Sequence, residues 1–295
     1  MSATGHTVSV ALPRSPGRES RLTRGVWAAN RWLILRRIVQ VAVLLAFLAG
    51  PWFGLWIVKG NLTSSLTLGV LPLTDPLFAL QSLAAGHLPY RDALIGAGLL
   101  AGFYLLVGGR VFCGWVCPMN AVTDGASALR RMLGLKGLRA APDPRTRYLL
   151  AAGLLVASFA AGAVVWEAVN PVSALHRGLF FGMGAGWMLV AAVFLYDLVV
   201  APRGWCGHLC PMGATYALLG RFALWRVSAH RRDACDNCMD CYAVCPEPQV
   251  IRPALKGSGS PVILASACTT CGRCADVCAK EVFRHTTRWN RRLTS

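Results

Sequence analysis

The sequence predicts an α-helical membrane protein with four transmembrane helices, arranged as two repeated helix pairs, followed by a small cysteine-rich α+β domain. Three observations support this fold class: an apolar composition, four long apolar runs, and cysteines that recur at repeated spacings. Of the 295 residues, 55% are hydrophobic and only 15% are charged, whereas charged residues make up about 25% of typical soluble domains. This composition favours a membrane protein over a soluble enzyme.

Four apolar runs are long enough to cross a bilayer as helices. About 20 residues, each rising about 1.5 Å, cover a hydrocarbon core about 30 Å thick. The second run ends close to Arg110, whose side chain must then reach to the membrane surface. Segment 70–90 is also apolar, but Pro and Asp interrupt it, so we expect an interfacial helix on the outer face. The four predicted spans are 38–58, 93–112, 148–168 and 178–201.

Positive charge is distributed unevenly between the two sides of this predicted membrane domain. The formal net charge is +17, and with four spans the alternating sides carry 27 and 3 Lys and Arg residues. Basic segments stay on the cytoplasmic side, so we expect a multi-pass protein of the bacterial inner membrane with both termini in the cytoplasm. Topology and contact with anionic lipid account for the basic charge, and no nucleic-acid partner is expected.

A six-residue cysteine motif occurs twice, directly after the second and fourth predicted spans. Residues 111–120 read VFCGWVCPMN, and residues 205–214 read WCGHLCPMGA. A parallel repeat could bring the four thiols together near the inner membrane surface. Three alternatives remain open: a metal or iron–sulfur site, a redox-active dithiol pair, or reduced thiols buried as small apolar groups. The four residues are Cys113, Cys117, Cys206 and Cys210.

The remaining eight cysteines form two runs with one spacing, CDNCMDCYAVCP at 235–246 and CTTCGRCADVC at 268–278. C-x2-C-x2-C-x3-C is the bacterial ferredoxin spacing, in which the fourth cysteine ligates the other cluster. Structural zinc is the alternative, and this run disfavours it. We therefore assign one [4Fe–4S] cluster to Cys235, Cys238, Cys241 and Cys278, and a second to Cys268, Cys271, Cys274 and Cys245.

These patterns divide the chain into three predicted parts. Residues 1–37 form a basic cytoplasmic segment, 38–215 a four-helix transmembrane domain, and 216–295 a cytoplasmic 2[4Fe–4S] ferredoxin domain. Two adjacent clusters fixed to a membrane predict a path for electrons to or from a lipid-soluble carrier or a membrane partner. The sequence contains no C-x-x-C-H haem motif.

Several fragments, in this order, resemble the NapH family of membrane-bound ferredoxin-type subunits from periplasmic nitrate reductase systems. The resemblance covers about residues 25–290, and the first thirty residues match only loosely. Besides the two cysteine motifs and the two cysteine runs, it rests on GPWFGLWIVKGN at 50–61, PLTDPLFALQSLAAGHLP at 72–89 and WEAVNPVS at 166–173.

The resemblance implies an electron-transfer subunit of a quinol dehydrogenase complex, rather than a stand-alone enzyme. Quinol would be the diffusible donor, and electrons would pass toward the periplasmic nitrate reductase. The implied partners are a periplasmic ferredoxin-type subunit and a membrane-anchored multihaem cytochrome. Two other classes remain open: a polyferredoxin-type maturation or assembly factor, and a scaffold whose clusters are structural.

Quinol oxidation requires a group that accepts a proton near an apolar slot. Glu167 is the candidate, because it is the only Glu predicted near the outer membrane face. The alternative is that Glu167 is solvated or pairs with Arg177. Other titratable candidates are His87, Asp92 and His176 on the outer side and Asp197 on the inner side.

Overall fold

The computed structural model describes residues 15–135, 142–182 and 184–290. The first half contains two helices, a small sheet, and three further helices. Its elements are α1 (Arg18–Ala28), α2 (Arg31–Phe53), β1 (Val58–Gly60), β2 (Ser64–Thr67), β3 (Leu71–Thr74), α3 (Pro76–Ala84), α4 (Arg91–Val107), a π-helical turn (Phe112–Val116) and α5 (Met119–Leu133).

The second half repeats the helical plan and ends in a domain of short elements. Its helices are α6 (Thr146–Ala161), α7 (Trp166–Val169), α8 (Pro171–Phe181), α9 (Gly186–Leu195) and α10 (Pro211–Leu219), with π-helical turns at Tyr196–Val200 and Trp205–Leu209. Strands β4 (Trp225–Ser228) and β5 (Arg284–Thr287) pair antiparallel around α11 (Asp240–Val244), α12 (Ile251–Lys256) and α13 (Arg273–Val277), and 3-10 turns lie at Gly220–Phe222, Arg232–Ala234 and Pro248–Val250.

Each of the four predicted spans is largely helical, but the helices differ in length. Among the helices of the described residues, only α2, with 23 residues, is both long and apolar enough to cross a membrane. Helix α6 and the combined α9 and π-helical segment are apolar but shorter. The fourth predicted span is interrupted, because α8 ends at Phe181 and α9 begins at Gly186. The structure therefore supports one spanning helix by length and composition.

Segment 70–90 differs from the predicted interfacial helix. Strand β3 completes a three-stranded antiparallel sheet in the order β1-β2-β3, which the sequence did not predict. Asp75 then caps α3 with its carboxylate, and Pro76 occupies the first turn, where a missing N–H costs nothing. Leu77 and Gln81 of α3 are buried where the helix packs against α6 and α4, and Leu80 and Leu83 on its other face are exposed.

The described residues contain two hydrophobic cores. One joins the long helices around Tyr104, Trp166 and Tyr216, and it includes Cys117 and Cys210 of the repeated motif. The other fills the C-terminal domain. The repeated motif therefore belongs to the helical core, and the two cysteine runs belong to the C-terminal core.

Helix α1 lies against the C-terminal domain. The Ser20 hydroxyl donates to the Asp276 carbonyl at 2.7 Å, and the Gly17 N–H donates to the Asp240 carboxylate at 2.8 Å. Asp276 also accepts from the first N–H groups of α2, at Trp32 and Leu33. The described part of segment 1–37 thus packs on the C-terminal domain, a contact that no sequence pattern had indicated.

Candidate redox centre

The two cysteine runs adopt one backbone conformation. In each run the residues on either side of the second cysteine have positive φ: Asn237 (62°) and Met239 (65°) in the first, Thr270 (49°) and Gly272 (71°) in the second. Three of the four carry side chains, for which left-handed backbone is costly and concentrated at functional sites. Alternating conformations of this kind turn successive N–H groups toward one centre, as a cluster of thiolates requires.

Each cavity in the C-terminal domain is lined by cysteines from both runs. A cavity of about 370 Å³ is lined by Cys235, Cys238 and Cys241 together with Cys278 of the second run. A smaller cavity is lined by Cys268, Cys271 and Cys274 together with Cys245 of the first run. The fourth cysteine of each run therefore lines the same cavity as the first three of the other run.

The thiols of both quartets form no disulfide, and they range from the exposed Cys238 to the buried Cys241 and Cys271. Burial, with neighbouring thiols, raises the pKa of Cys241 to about 12. Burial likewise raises the pKa of Cys268 to about 11, against donation from the Thr270 N–H. A metal that binds such thiols supplies the positive charge that stabilises their thiolate form. The donor set and its N–H groups therefore fit iron–sulfur clusters.

The two copies of the repeated motif also share one local structure. Each first cysteine lies in a π-helical turn. Each second cysteine ends the turn in extended conformation, and the proline after it is the N-cap of α5 in the first copy and the first residue of α10 in the second. π-Helical turns are rare and concentrate at functional sites. Cys117 and Cys210 are buried, and the four thiols are near enough for each to influence the others electrostatically.

An arginine precedes each motif by three residues, a feature that our reading of the sequence missed. Arg110 was interpreted as reaching to the membrane surface, but its side chain is buried at 1% exposure. One Arg110 nitrogen donates to the Cys206 carbonyl of the other motif at 2.7 Å. The signal was available, because R-x2-C-G-x2-C-P-M is common to both copies.

Glu247, directly after Cys245 and Pro246, joins the C-terminal domain to the helices. Its carboxylate accepts from Arg110 and, at 2.5 Å, from Arg147 of α6. All three side chains are almost fully buried. This triad fastens the second cysteine quartet to both repeats.

Asp124 of α5 is a second acidic group that, like Glu247, pairs with arginines from both repeats. It accepts from Arg203 at 2.9 Å, from Arg37 at 2.6 Å and from Arg36 at 3.4 Å. Burial alone would raise the pKa of Asp124, but these guanidinium groups hold it below its ordinary value. Asp124 therefore remains ionised at neutral pH.

The second quartet lies directly against the first copy of the motif. The Trp115 indole N–H donates to the Thr270 carbonyl at 3.3 Å, and Arg110 donates to the Ala267 carbonyl at 2.9 Å. A Cβ at Gly114 would lie 3.1 Å from the Thr269 oxygen. The backbones of the two cysteine sites are thus in contact, as short-range electron transfer requires.

Glu167 lies at a separate cavity of about 360 Å³ that is also lined by Ser173, Phe181 and Trp187. Its carboxylate accepts from the Thr63 hydroxyl at 3.3 Å. Arg177 lies 3.6 Å away, but its side chain is 59% exposed. The weak pair with Arg177 is therefore present, and it leaves the carboxylate at the cavity wall.

The other titratable candidates have different settings. His176 is buried between Phe47 and Phe180, and burial lowers its pKa to about 4. The His87 ring contacts the Gly162 carbonyl. Asp197 is fully buried and accepts from the Trp205 N–H at 2.9 Å.

Sequence reasoning missed Asp75, which lies in the core of the helical region. It accepts from the Tyr216 hydroxyl at 2.7 Å and from the N–H groups of Leu77 and Phe78. Burial raises the pKa of Asp75 to about 6 despite these bonds. The Asp-Pro pair was read only as an interruption, although it is a strong helix-start signal.

Two family models describe most of the cysteine-bearing chain. A 4Fe-4S dicluster domain matches residues 228–279, which hold both cysteine runs. A 4Fe-4S binding domain matches 92–136 and 180–230, which hold one copy of the repeated motif each. The predicted ferredoxin-type character of the C-terminal region is therefore confirmed.

Curated relatives align over almost the whole chain. "Ferredoxin-type protein NapH" of Escherichia coli is 50% identical over 94% of this chain and 96% of its own length. "Methylamine utilization ferredoxin-type protein MauN" of Methylorubrum extorquens is 54% identical over 92% and 94%. NapH of Haemophilus influenzae is 50% identical over 94% and 97%. No solved structure matches the chain. The resemblance to NapH is confirmed: the chain belongs to the family of ferredoxin-type iron–sulfur proteins that includes NapH and MauN.

Proposed function

We propose that this chain is the membrane electron-transfer subunit of a quinol dehydrogenase, passing electrons toward a periplasmic nitrate reductase through partner subunits. The observation that carries the proposal is the crossed arrangement of the eight C-terminal cysteines around two adjacent cavities. The resemblance to the NapH family implies the nitrate reductase system, and the NapH relatives support that resemblance. The proposed partners are a periplasmic ferredoxin-type subunit and a membrane-anchored multihaem cytochrome.

Two [4Fe–4S] clusters are the proposed cofactors of residues 216–295. One is held by Cys235, Cys238, Cys241 and Cys278, and the other by Cys268, Cys271, Cys274 and Cys245. Bound clusters supply reversible one-electron transfer. The chain's own residues exclude water from the second quartet, orient its thiols through left-handed turns, and fix it against Trp115.

Helices α2, α4, α6 and α9 are the proposed membrane spans, with both termini and the ferredoxin domain in the cytoplasm. The division of Lys and Arg into 27 and 3 supports this orientation. Large apolar side chains on the outer surfaces of α6 and α9 are exposed, among them Leu149, Phe159 and Met188. In a membrane, lipid chains would bury these apolar side chains, whereas in water the same surface would stay exposed.

Quinol is the proposed donor, and Glu167 is the proposed proton acceptor. Oxidation of a quinol to a quinone releases two electrons and two protons. The cavity beside Glu167 combines this carboxylate with the aromatic side chains of Phe181 and Trp187, a combination suited to a hydroxylated ring. The weak Arg177 contact orients the carboxylate without neutralising it by a short hydrogen bond.

Glu167→Gln tests this assignment. Loss of a general base typically costs about a hundredfold or more in rate, so quinol oxidation in membrane vesicles should fall by that order and lose its acid limb. Glu19→Gln is the matched control, because it makes the same chemical change at a side chain that is 51% exposed on α1. Unchanged oxidation and an unchanged pH profile in Glu167→Gln would exclude this residue.

A maturation or assembly factor is the second candidate function. The MauN relative is as similar as the NapH relatives, and its name ties it to methylamine utilization. Deletion of the gene from its host separates the two. Loss of nitrate-dependent quinol oxidation, with the reductase still mature, supports the electron-transfer function; an immature partner enzyme supports the second.

Cys241→Ala distinguishes electron transfer from a purely structural role of the clusters. We expect the variant to lose electron transfer while the complex with its partner subunits still assembles, because the helical core does not contain Cys241. Retained electron transfer without this ligand would favour a scaffold. Pull-down of the partner subunits and vesicle oxidation rates provide the two readouts.

A further inference from the structure

The second cysteine of each repeated motif lies directly before a helix start. Cys210 caps α10, because its sulfur accepts from the Gly213 N–H at 3.4 Å. Cys117 lies at the matching position before α5, where its carbonyl accepts from the Asn120 N–H at 3.2 Å. Helix N-termini stabilise thiolates. Both copies therefore place their second sulfur beside the positive end of a helix.

Four buried arginines lie around the two motifs in matching positions. Arg36 of α2 donates to the Gly114 carbonyl at 2.7 Å, and Arg147 of α6 donates to the Gly207 carbonyl at 3.0 Å. Each of these glycines follows the first cysteine of its motif. Arg110 and Arg203 provide the second pair, three residues before those cysteines. All four side chains are at most 9% exposed.

The charges of this cage do not cancel among the protein's own side chains. Two carboxylates oppose the four guanidinium groups. The buried Glu247 pairs with Arg110 and Arg147, and Asp124, whose side chain is 19% exposed, pairs with Arg36 and Arg203. Arg37 on Asp124 and the buried Asp197 beside Trp205 add one charge of each sign. Two positive charges therefore remain, and buried unpaired charge is strongly unfavourable. A [4Fe–4S]²⁺ cluster with four thiolates carries two negative charges. Such a cluster would balance the cage.

The position of the motif selects an iron–sulfur cluster over zinc. Four thiolates suit either group, but zinc has no redox chemistry. The first motif contacts the second ferredoxin quartet through Trp115 and Arg110. The family model that matches both copies is described as a 4Fe-4S binding domain.

We propose that the repeated motif holds a third [4Fe–4S] cluster, and that the buried arginine cage balances its charge. The cluster ligands are Cys113, Cys117, Cys206 and Cys210, and the cage is Arg36, Arg110, Arg147 and Arg203 with Asp124 and Glu247. The inference rests on the proposed electron-transfer function and adds a centre between the helices and the ferredoxin domain.

Iron and acid-labile sulfide in the full chain, purified anaerobically in detergent, test the proposal. We expect about 12 iron atoms per chain, four for each cluster. The double variant Cys113→Ser/Cys206→Ser, which removes one ligand from each motif, should hold about 8 and retain the ferredoxin EPR signals. Those signals also report that the variant has folded. Cys241→Ala is the converse control, and it should lose a ferredoxin signal while the third one persists.

Arg110→Gln provides an independent readout. Removing one positive charge favours the oxidised cluster, so the midpoint potential of the third centre should fall. A tenfold shift in its oxidised-to-reduced ratio at fixed potential corresponds to about 59 mV for one electron. Arg110→Lys keeps the charge and should restore most of the potential. Arg145→Gln, at an exposed site near Arg147, should leave it unchanged.

Three results would overturn the inference. About 8 iron atoms in the parent chain, with four further thiols that alkylate after unfolding, would indicate dithiols or buried thiols. Stoichiometric zinc lost in Cys113→Ser/Cys206→Ser would indicate a structural metal. An unchanged midpoint potential in Arg110→Gln would show that the arginine cage does not balance the charge of a cluster. If the parent chain holds three clusters but does not oxidise quinol, the proposed third cluster stands and only the proposed function is refuted.

Discussion

Individual carboxylates provide the partners of the arginine and hydroxyl groups inside this protein. Asp124 and Glu247 each form ion pairs with arginines from both repeats, whereas Asp75 accepts a hydrogen bond from a tyrosine hydroxyl. The three differ in their surroundings. Cationic partners keep Asp124 ionised, whereas Asp75 has only neutral donors, so burial governs its protonation.

Asp75 should make stability depend on pH. Its pKa is about 6 in the folded chain against 3.8 ordinarily, so the folded state binds more protons between these values. Stability should therefore fall as pH rises from about 4 to about 6, and then level off. Asp75→Asn should flatten this slope while keeping a cap on α3, and Asp75→Ala should lose about 1 kcal/mol more. Thermal unfolding in detergent measures both; an equal slope in Asp75→Asn would contradict the assignment.

Glu247→Gln should be among the most destabilising single changes. It leaves Arg110 and Arg147 buried without their counter-charge, a loss that typically costs about 3–5 kcal/mol. Glu281→Gln is the matched control, because its pair with Arg24 is 59% exposed on the Glu side and should change stability by less than about 1 kcal/mol. The unfolding temperature and the iron content provide the measurements. Similar losses in both variants would argue against the buried triad as a fastening point.

At the scale of elements, tight turns bring the helix ends to the cysteine sites. Helix α4 ends at Val107, and Gly108 and Gly109 then lead the chain into the first motif. A Cβ at Gly109 would lie 1.7 Å from the Tyr216 carbonyl oxygen and 2.4 Å from the Gly220 nitrogen. The chain between α4 and the motif is therefore packed directly on the end of α10.

Gly109→Ala should disrupt this contact, because backbone atoms rather than a flexible side chain block the new methyl group. We expect loss of the ferredoxin EPR signals or of folded protein. Gly125→Ala in α5 meets no atom within 4 Å and should stabilise the helix by about 0.5–1 kcal/mol. Normal cluster content in Gly109→Ala would show that α4 and α10 can separate without consequence.

At the scale of the whole molecule, the C-terminal domain is held by contacts from distant parts of the chain. Helix α1 contributes Ser20 and Arg24, α6 contributes Arg147, and the first motif contributes Trp115. The domain therefore has a defined place against the helices, and its side of the membrane follows from the proposed topology.

Reporter fusions test that topology. A fluorescent protein fused at the C-terminus should fluoresce, because it folds in the cytoplasm. Alkaline phosphatase inserted in the β1–β3 region should be active, because this connection carries few positive charges and is proposed to lie outside. Phosphatase activity at the C-terminus would contradict four spans with cytoplasmic termini. Matched expression levels, measured by immunoblot, are the control.

Features that depend on local spacing could be predicted from the sequence. The C-x2-C-x2-C-x3-C runs predict a cysteine grouping, because each ligand's direction follows from a few neighbouring residues. The repeated motif and the apolar runs were likewise visible, and the family followed from their order. Contacts between groups far apart in the chain arise only on folding. The pairing of Arg110 with Glu247, 137 residues apart, the small sheet, and the burial of Asp75 depend on packing among several elements, and no local pattern encodes such packing.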